Sequence, residues 1–231
     1  MALARWKDLC IDAVDAHALA GFWGPVLGRQ VERQDNGDAV LRGGRPEDTI
    51  WVNAVPEAKR VKHRVHLDLN AASIDPIVQL GATVLLPASE SGAPWTIMAD
   101  PEGGEFCVFV RGGVAEDPPA VLFEVVVDCA DGETSHALAD WWAEVLGARS
   151  VDDGRGFWWL EDVPGAPFET LDFVPVPEGK VVKNRIHWDV VSDDLDALLD
   201  HGATVLATPT ELTPWHVLAD PEGNEFCVFA P

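Results

Sequence analysis

Ala99–Phe109 reads ADPEGGEFCVF, and Ala219–Phe229 reads ADPEGNEFCVF. A single position differs, Gly104 against Asn224. In both, Asp-Pro-Glu-Gly has the chemistry of a turn, because proline presets φ and glycine accepts positive φ. Strands are expected on either side, at 94–99 and 105–110. The repetition continues outward from this hairpin. RVHLDL at Arg64–Leu69 answers RIHWDV at Arg185–Val190, and GATVL begins at Gly81 and again at Gly202. Leu19, Phe22, Trp23, Val26 and Leu27 answer Leu138, Trp141, Trp142, Val145 and Leu146. The offset of about 120 residues exceeds the roughly 20–50 residues of a solenoid repeat and has the size of a domain. The chain therefore reads as a tandem duplication, with domains at 1–112 and 120–231 and a linker rich in Gly and Pro at 113–119.

Each half divides again. Residues 8–13 alternate as a half-buried strand does. Leu19, Phe22, Trp23, Val26 and Leu27 have the i, i+3, i+4, i+7, i+8 spacing of an amphipathic helix, with Asp15 as N-cap and Gly28 as terminator. Pro25 lies inside this stripe and is expected to shorten the helix by a turn. Strand-like pieces follow at 29–34, 38–42 and 49–53. The second quarter repeats the order: a strand at 65–70, a helix over 73–80 capped by Ser73, then strands at 82–86, 94–99 and 105–110. The second half, from Val121, does the same. Each quarter is a βαβββ module, and the fold class is α+β with four such modules.

Composition narrows the partners. The formal net charge is −23, from 39 Asp and Glu against 16 Lys and Arg. Such a surface repels phosphate backbones and anionic lipid, so neither nucleic acid nor membrane is an expected partner. No apolar run approaches the roughly 20 residues of a membrane span. MALARWKDLCIDAV enters a strand pattern at once and leaves no room for a signal peptide, so a cytoplasmic location is expected. Cys107 and Cys227 are repeat equivalents, whereas Cys10 and Cys129 are not. With no CxxC, all four are expected as reduced thiols.

Residues i and i+2 of a strand share a face. Val65, Leu67 and Leu69 form an apolar face that belongs under the helices, and Arg64, His66, Asp68 and Asn70 form the other. In the second copy the split is Ile186, Trp188 and Val190 against Arg185, His187 and Asp189. Glu105, Cys107 and Phe109 share a mixed face, as do Glu225, Cys227 and Phe229. Alternation alone suits a solvated outer face equally well. The preference of free Cys for burial, and the aromatic content, point instead to the wall of a ligand cavity.

This pattern resembles the vicinal oxygen chelate superfamily, which holds glyoxalase I, bleomycin-resistance proteins and extradiol dioxygenases. It is most similar to the bacterial glyoxalase-like domains. Lys62, Arg64, His66, Trp95 and 100–107 carry the resemblance in the first half; Lys183, Asn184, Arg185, His187, Trp215 and 220–227 carry it in the second. The resemblance implies two tandem open eight-stranded barrel domains with pseudo-two-fold symmetry, each built from two modules curled around one site. It also implies a monomeric chain whose halves pack as a pseudo-dimer, and a divalent metal acting as a Lewis acid. The first of four family ligand positions falls on Asp8 and Glu124, the second near Asn53 and Val174, and the third on His66 and His187. The fourth, usually Glu, falls on Cys107 and Cys227. A thiolate in the set favours zinc over the ions of oxygen-rich sites, while the same cysteines could equally pack as small hydrophobes.

The candidate metal ligands are thus Asp8, His66, Glu124 and His187. His66 and His187 are also the candidate catalytic bases. Arg64, Asp68, Trp95, Cys107, Arg185, Asp189, Trp215 and Cys227 are the candidate ligand-binding residues. Glu105 and Glu225 read either as acid–base groups at the cavity mouth or as solvated hairpin residues. Val40, Arg42, Trp158 and Leu160 are expected to shape the cavity. The incomplete ligand set favours a protein that binds a small organic molecule in each half, of the sequestration or resistance type, with no cofactor. The alternatives are a zinc- or manganese-dependent lyase, isomerase or dioxygenase of the glyoxalase type, and a tandem scaffold with vestigial pockets.

Overall fold

The computed structural model describes residues 2–154 and 156–231. The first module comprises β1 (Arg5–Ala13), α1 (Ala16–Val26), β2 (Gln30–Arg33), β3 (Ala39–Arg42) and β4 (Ile50–Ala54). The second comprises β5 (Val65–Ala71), α2 (Asp75–Gln79), β6 (Thr83–Leu86), α3 (Ala88–Ser91), β7 (Thr96–Ala99) and β8 (Glu105–Val110). The third comprises β9 (Ala120–Cys129), α4 (Gly132–Leu146), β10 (Arg149–Asp152), β11 (Trp158–Glu161) and β12 (Thr170–Pro175). The fourth comprises β13 (Ile186–Val191), α5 (Leu195–Asp200), β14 (Thr204–Ala207), β15 (His216–Ala219) and β16 (Glu225–Phe229).

The helices follow their stripes. Asp15 caps α1 by accepting from the Ala18 amide at 2.9 Å, and Leu19, Phe22, Trp23 and Val26 are buried. Pro25 does not shorten α1. It lies in the last turn, where Leu27 N still bonds to Trp23 O at 3.0 Å. The helix expected over 73–80 contracts to α2, and Ser73 accepts from the Asp75 amide, at 3.1 Å, instead of capping. The short helix α3 was not expected.

The strands form two eight-stranded sheets that do not close. The first runs β14-β15-β16-β13-β1-β4-β3-β2, and the second β10-β11-β12-β9-β5-β8-β7-β6. The four modules and two open sheets are those expected, but the grouping of modules is not. Each sheet takes one module from each half: the first and fourth together, the second and third together. Every module presents an edge on its first strand whose main-chain groups need partners. The sequence repeat specifies that edge four times and does not say which edge pairs with which. Here β1 pairs antiparallel with β13, and β5 with β9.

Two reciprocal arginines fix this exchange. The chain passes between sheets at 55–64 and 176–185. Arg64 donates to Asp128 O at 2.5 Å and to Glu178 O, while Arg185 donates to Asp12 O at 2.9 Å and Glu57 O at 2.6 Å. Each guanidinium thereby binds carbonyls of the opposite half. Arg64 and Arg185, both ligand-binding candidates, spend their terminal nitrogens as clamps between halves, while Arg64 Nε is left without an acceptor.

The repeated hairpin joins the two modules within a half. Asp100 Oδ1 accepts from the Glu102 and Gly104 amides at 2.9 and 2.8 Å, and Oδ2 lies 3.4 Å from Trp23 Nε1 on α1. Asp220 repeats the pattern with Glu222, Asn224 and Trp142 Nε1. Glu102 accepts from the Val14 and Asp15 amides at the start of α1, and Glu222 from Ala130 ahead of α4. Glu105 holds Lys59 Nζ at 2.7 Å and the His63 amide at 3.0 Å; Glu225 holds Lys180 Nζ and the Asn184 amide. These glutamates therefore anchor the crossovers. The one variable position also has a cause. A Cβ on Gly104 would lie 2.7 Å from His63 Cε1, whereas at the matching place Asn184 Nδ2 donates to Asn224 Oδ1 at 2.9 Å. Above each hairpin sits an aromatic cluster, Phe22, Trp23 and Phe106 in one half and Trp141, Trp142 and Phe226 in the other.

Cross-half pairing gives a direct prediction. Residues 1–112 and 113–231 expressed together will co-purify as a one-to-one complex, while either fragment alone will self-associate to pair its free strand edges. Light scattering showing two stable, monomeric fragments that do not combine would contradict the topology.

Candidate functional site

Each sheet carries one polar face, read as rows across neighbouring strands. In the second sheet one row is Trp159, Asp172, Val126 and His66, and the next contains Glu124, Asp68 and Cys107. In the first sheet the matching rows are Val40, Trp51, Cys10 and His187, then Asp8, Asp189 and Cys227. The expected groups are there, regrouped. Asp8 lies opposite Asp189 and beside the row of His187, and Glu124 lies opposite Asp68. The reading in which each half supplies its own carboxylate, His and Cys is thereby corrected: the carboxylate comes from one half and the His and Cys from the other.

On the second sheet, His66 Nδ1 lies 2.8 Å from Asp68 Oδ1, and Nε2 lies 3.8 Å from Asp128 Oδ1. Lys62 also bonds to Asp128. Burial alone would push the His66 pKa down, but the Asp68 and Asp128 carboxylates overturn this and raise it to about 9. Burial, then the Asp172 and Asp68 charges, raise Glu124 to about 8. Burial and Asp68 raise Asp172 to about 7. Asp172 Oδ1 and Thr170 Oγ1 are buried without a hydrogen-bond partner.

The first sheet has the opposite character. His187 Nε2 lies 3.6 Å from Cys227 Sγ and 3.8 Å from Asp189 Oδ1, and its Nδ1 is buried without a partner. Burial lowers the His187 pKa and, with the Asp8 charge, raises Asp189 to about 8. Lys7 Nζ lies 2.7 Å from Asp8 Oδ2 and 3.7 Å from Asp189 Oδ2, 4.2 Å above the Phe229 ring. Lys7 is the extra residue of a bulge in β1, and Phe123 occupies the corresponding bulge in β9. A bulge re-aims a side chain, so the same device delivers an ammonium to one face and a benzyl group to the other.

Among the described residues, two sets of donors each lie within 4.8 Å of one another: Cys10, His187 and Asp189, and His66, Asp68 and Cys107. Mixed sulfur, nitrogen and oxygen donors suit zinc. Burial raises the Cys107 and Cys227 thiols, so a metal would have to displace their protons, as well as the proton that the raised His66 retains.

Trp95 and Trp215 pack against strand aromatics, with ring centroids 5.4 Å from Phe109 and 5.0 Å from Phe229. Trp158 and Leu160 do not line the polar face: Trp158 stacks on His136 of α4 at 3.8 Å and Leu160 is in the core, leaving Trp159 on the polar side. Asp172, not Val174, shares the row of His66. Asp12 and Asp128 were also missed. Both follow from the i, i+2 rule extended along β1 and β9 from Asp8 and Glu124. Asp12 accepts from Lys183 Nζ at 2.6 Å.

A family model described as glyoxalase-like domain matches residues 8–109 and again 124–229. Among solved structures, glyoxalase I from Zea mays is 15% identical over 97% of this chain and 92% of its own, with a TM-score of 0.64. A candidate dioxygenase from Bacillus subtilis is 14% identical over 99% of this chain and 86% of its own, with a TM-score of 0.63. At these identities the likeness establishes the fold. No curated protein matches the chain.

The raised carboxyls predict a pH dependence. A carboxyl whose folded pKa exceeds its unfolded value adds stability that is complete below the unfolded pKa and is lost as pH rises through the folded one. For Glu124 that window runs from about 4.3, the free Glu value, to about 8. Glu124→Gln will therefore flatten the fall in stability across this window and raise the urea midpoint at pH 8 relative to pH 5. A variant whose midpoint tracks the parent at both pH values would contradict the burial of this charge.

Proposed function

The chain belongs to the glyoxalase-like domain family in both of its halves, and from that premise we propose that it binds a small, positively charged organic molecule on the polar face of its second sheet. The support is an imbalance of charge. Asp68, Glu124 and Asp172 meet there with His66 as the nearby cation, and none of the three is ion-paired with lysine or arginine among the described residues. Burial and the crowding of like charges keep Glu124 and Asp172 protonated near neutrality, and the Arg111 charge only partly opposes this at Glu124. A ligand ammonium supplies a counter-charge and displaces the protons. The Arg111 guanidinium already lies 5.1 and 4.3 Å from the centroids of the Phe109 and Phe123 rings, which are 5.7 Å apart, so the rest of such a ligand would meet these faces, and Trp159, by displacing it. The first sheet has less of this demand, because Lys7 lies against Asp8 and Asp189, although burial and the Asp8 charge still raise Asp189 to about 8. The same proposal places the protein in the cytoplasm as a monomer, its halves packed as a pseudo-dimer. No helix among the described residues is long and apolar enough to cross a membrane.

A second reading is favoured by the donor geometry. A divalent metal, zinc or manganese, would be held in the second sheet by His66, Asp68 and Cys107, with Glu124 adjacent. When bound it would polarise a substrate oxygen as a Lewis acid. In that reading the protein is a lyase, isomerase or dioxygenase of the glyoxalase type. His66, relieved of its proton, positions the site, and Asp128 orients the imidazole from behind.

Thermal denaturation against a panel of aromatic amines and their uncharged isosteres separates the readings. The proposal predicts stabilisation by amines alone, about 2.7 kcal/mol at a hundredfold excess over Kd, with loss of the effect in Glu124→Gln and release of protons on binding. Equal stabilisation by the isosteres, or by neither class, would refute it. One zinc or manganese per chain in protein purified without a His-tag would establish the second reading instead.

A further inference from the structure

A cavity of about 190 Å³ lies between the crossovers 55–64 and 176–185, beside the Asp12 end of the first sheet's polar face. These twenty residues hold seven of the sixteen Lys and Arg of the chain and two of its 39 acids. Six of the seven are ion-paired with acids from outside the crossovers, which leaves Arg60 as their one cation without an ion pair among the described residues, at the place where the arginine clamps bring the two crossovers together. We propose that the cavity binds a small oxyanion, a carboxylate or a phosphate.

Three donors that line the cavity are free. His63 is 8% exposed, and neither ring nitrogen has a partner. Arg64, also 8% exposed, uses its terminal nitrogens on carbonyls but leaves Nε without an acceptor. The Arg60 guanidinium is exposed and forms no ion pair among the described residues. Acidic groups also line the wall, but Asp12 is bonded to Lys183 and Glu57 is exposed. Lys62 and Lys183 flank the cavity from opposite sides, ion-paired with Asp128 and Asp12 respectively. Burial, reinforced by Lys59 and Arg185, lowers the His63 pKa to about 4, so the ring is neutral and presents one N–H. A buried donor left unpaired is costly, and an oxyanion supplies the missing acceptors through charge-assisted bonds. Val61 and Val182 add apolar wall for a short carbon skeleton. Water occupies about 30 Å³ per molecule, so the volume admits phosphate or a small organic acid.

The inference is independent of the polar-face reading, and its test uses the full chain. Thermal unfolding and calorimetric titration are run in sodium phosphate, sodium citrate and sodium chloride at matched ionic strength, because screening alone stabilises so acidic a protein. Saturable binding of one phosphate or one citrate per chain, beyond the chloride control, is expected, and the arm that responds names the anion class. Arg60→Ala and His63→Asn should each weaken it about tenfold. Arg60 is exposed, and His63→Asn gives the first crossover the Lys-Asn-Arg already present in the second, so both variants should fold; far-ultraviolet circular dichroism checks this. Phosphate and citrate behaving as chloride does, or binding unchanged in both folded variants, would overturn the proposal.

Discussion

The structure depends on the pairing of four identical kinds of strand edge. Each module ends its sheet at a first strand whose amides and carbonyls cannot be left bare in the interior. β1 satisfies that need with β13, and β5 with β9, so both seams join one half of the sequence to the other. Arg64 and Arg185 then bind carbonyls across the seams. The hairpins act in the other direction. Asp100 and Asp220 tie the helix of one module to the turn of the next within each half. Strands join the halves and hairpins join the modules, and neither set of contacts alone defines the molecule.

This exchange determines what the sites are. Because each polar face draws on both halves, the two faces descend from one arrangement yet differ at every position where the first and third modules have diverged. Cys10 faces Val126 in that comparison, Trp51 faces Asp172, and Lys7 faces Phe123. The His, Asp and Cys contributed by the second and fourth modules are unchanged. One face consequently sets Lys7 against its acids, although Asp189 still rises to about 8, and the other carries two raised carboxyls, Glu124 and Asp172. Duplication kept the His-bearing half of each site and let the opposite wall drift in charge.

Much of this was legible in the sequence for a physical reason. Strand alternation and helical stripes are local, and so the four modules, the buried pairs Phe22–Trp23 and Trp141–Trp142, and the faces shared by His66 with Asp68 and by His187 with Asp189 are legible directly. Partnership between modules is not local. Nothing in RVHLDL or RIHWDV distinguishes an edge that pairs within its half from one that pairs across it, which is why Asp8 was grouped with His66 and Glu124 with His187. Roles of the clamp residues were hidden for the same reason: the acceptors of Arg64 and Arg185 are main-chain atoms more than 60 residues away. Asp172 was missed by counting to Val174, two positions along the same face. The pairing of His63 with Gly104, and of Asn184 with Asn224, explains the one difference between the repeated hairpins only once both are seen in contact.

A double-mutant cycle tests the cross-half assembly most directly. Asp68 belongs to the first half and Asp189 to the second, as does Glu124. The account predicts that the urea-unfolding free energies of Glu124→Gln and Asp68→Asn at pH 8 are non-additive by about 0.5–3 kcal/mol, while Glu124→Gln and Asp189→Asn add to within about 0.5 kcal/mol. Coupling of Glu124 to Asp189, with additivity toward Asp68, would contradict it.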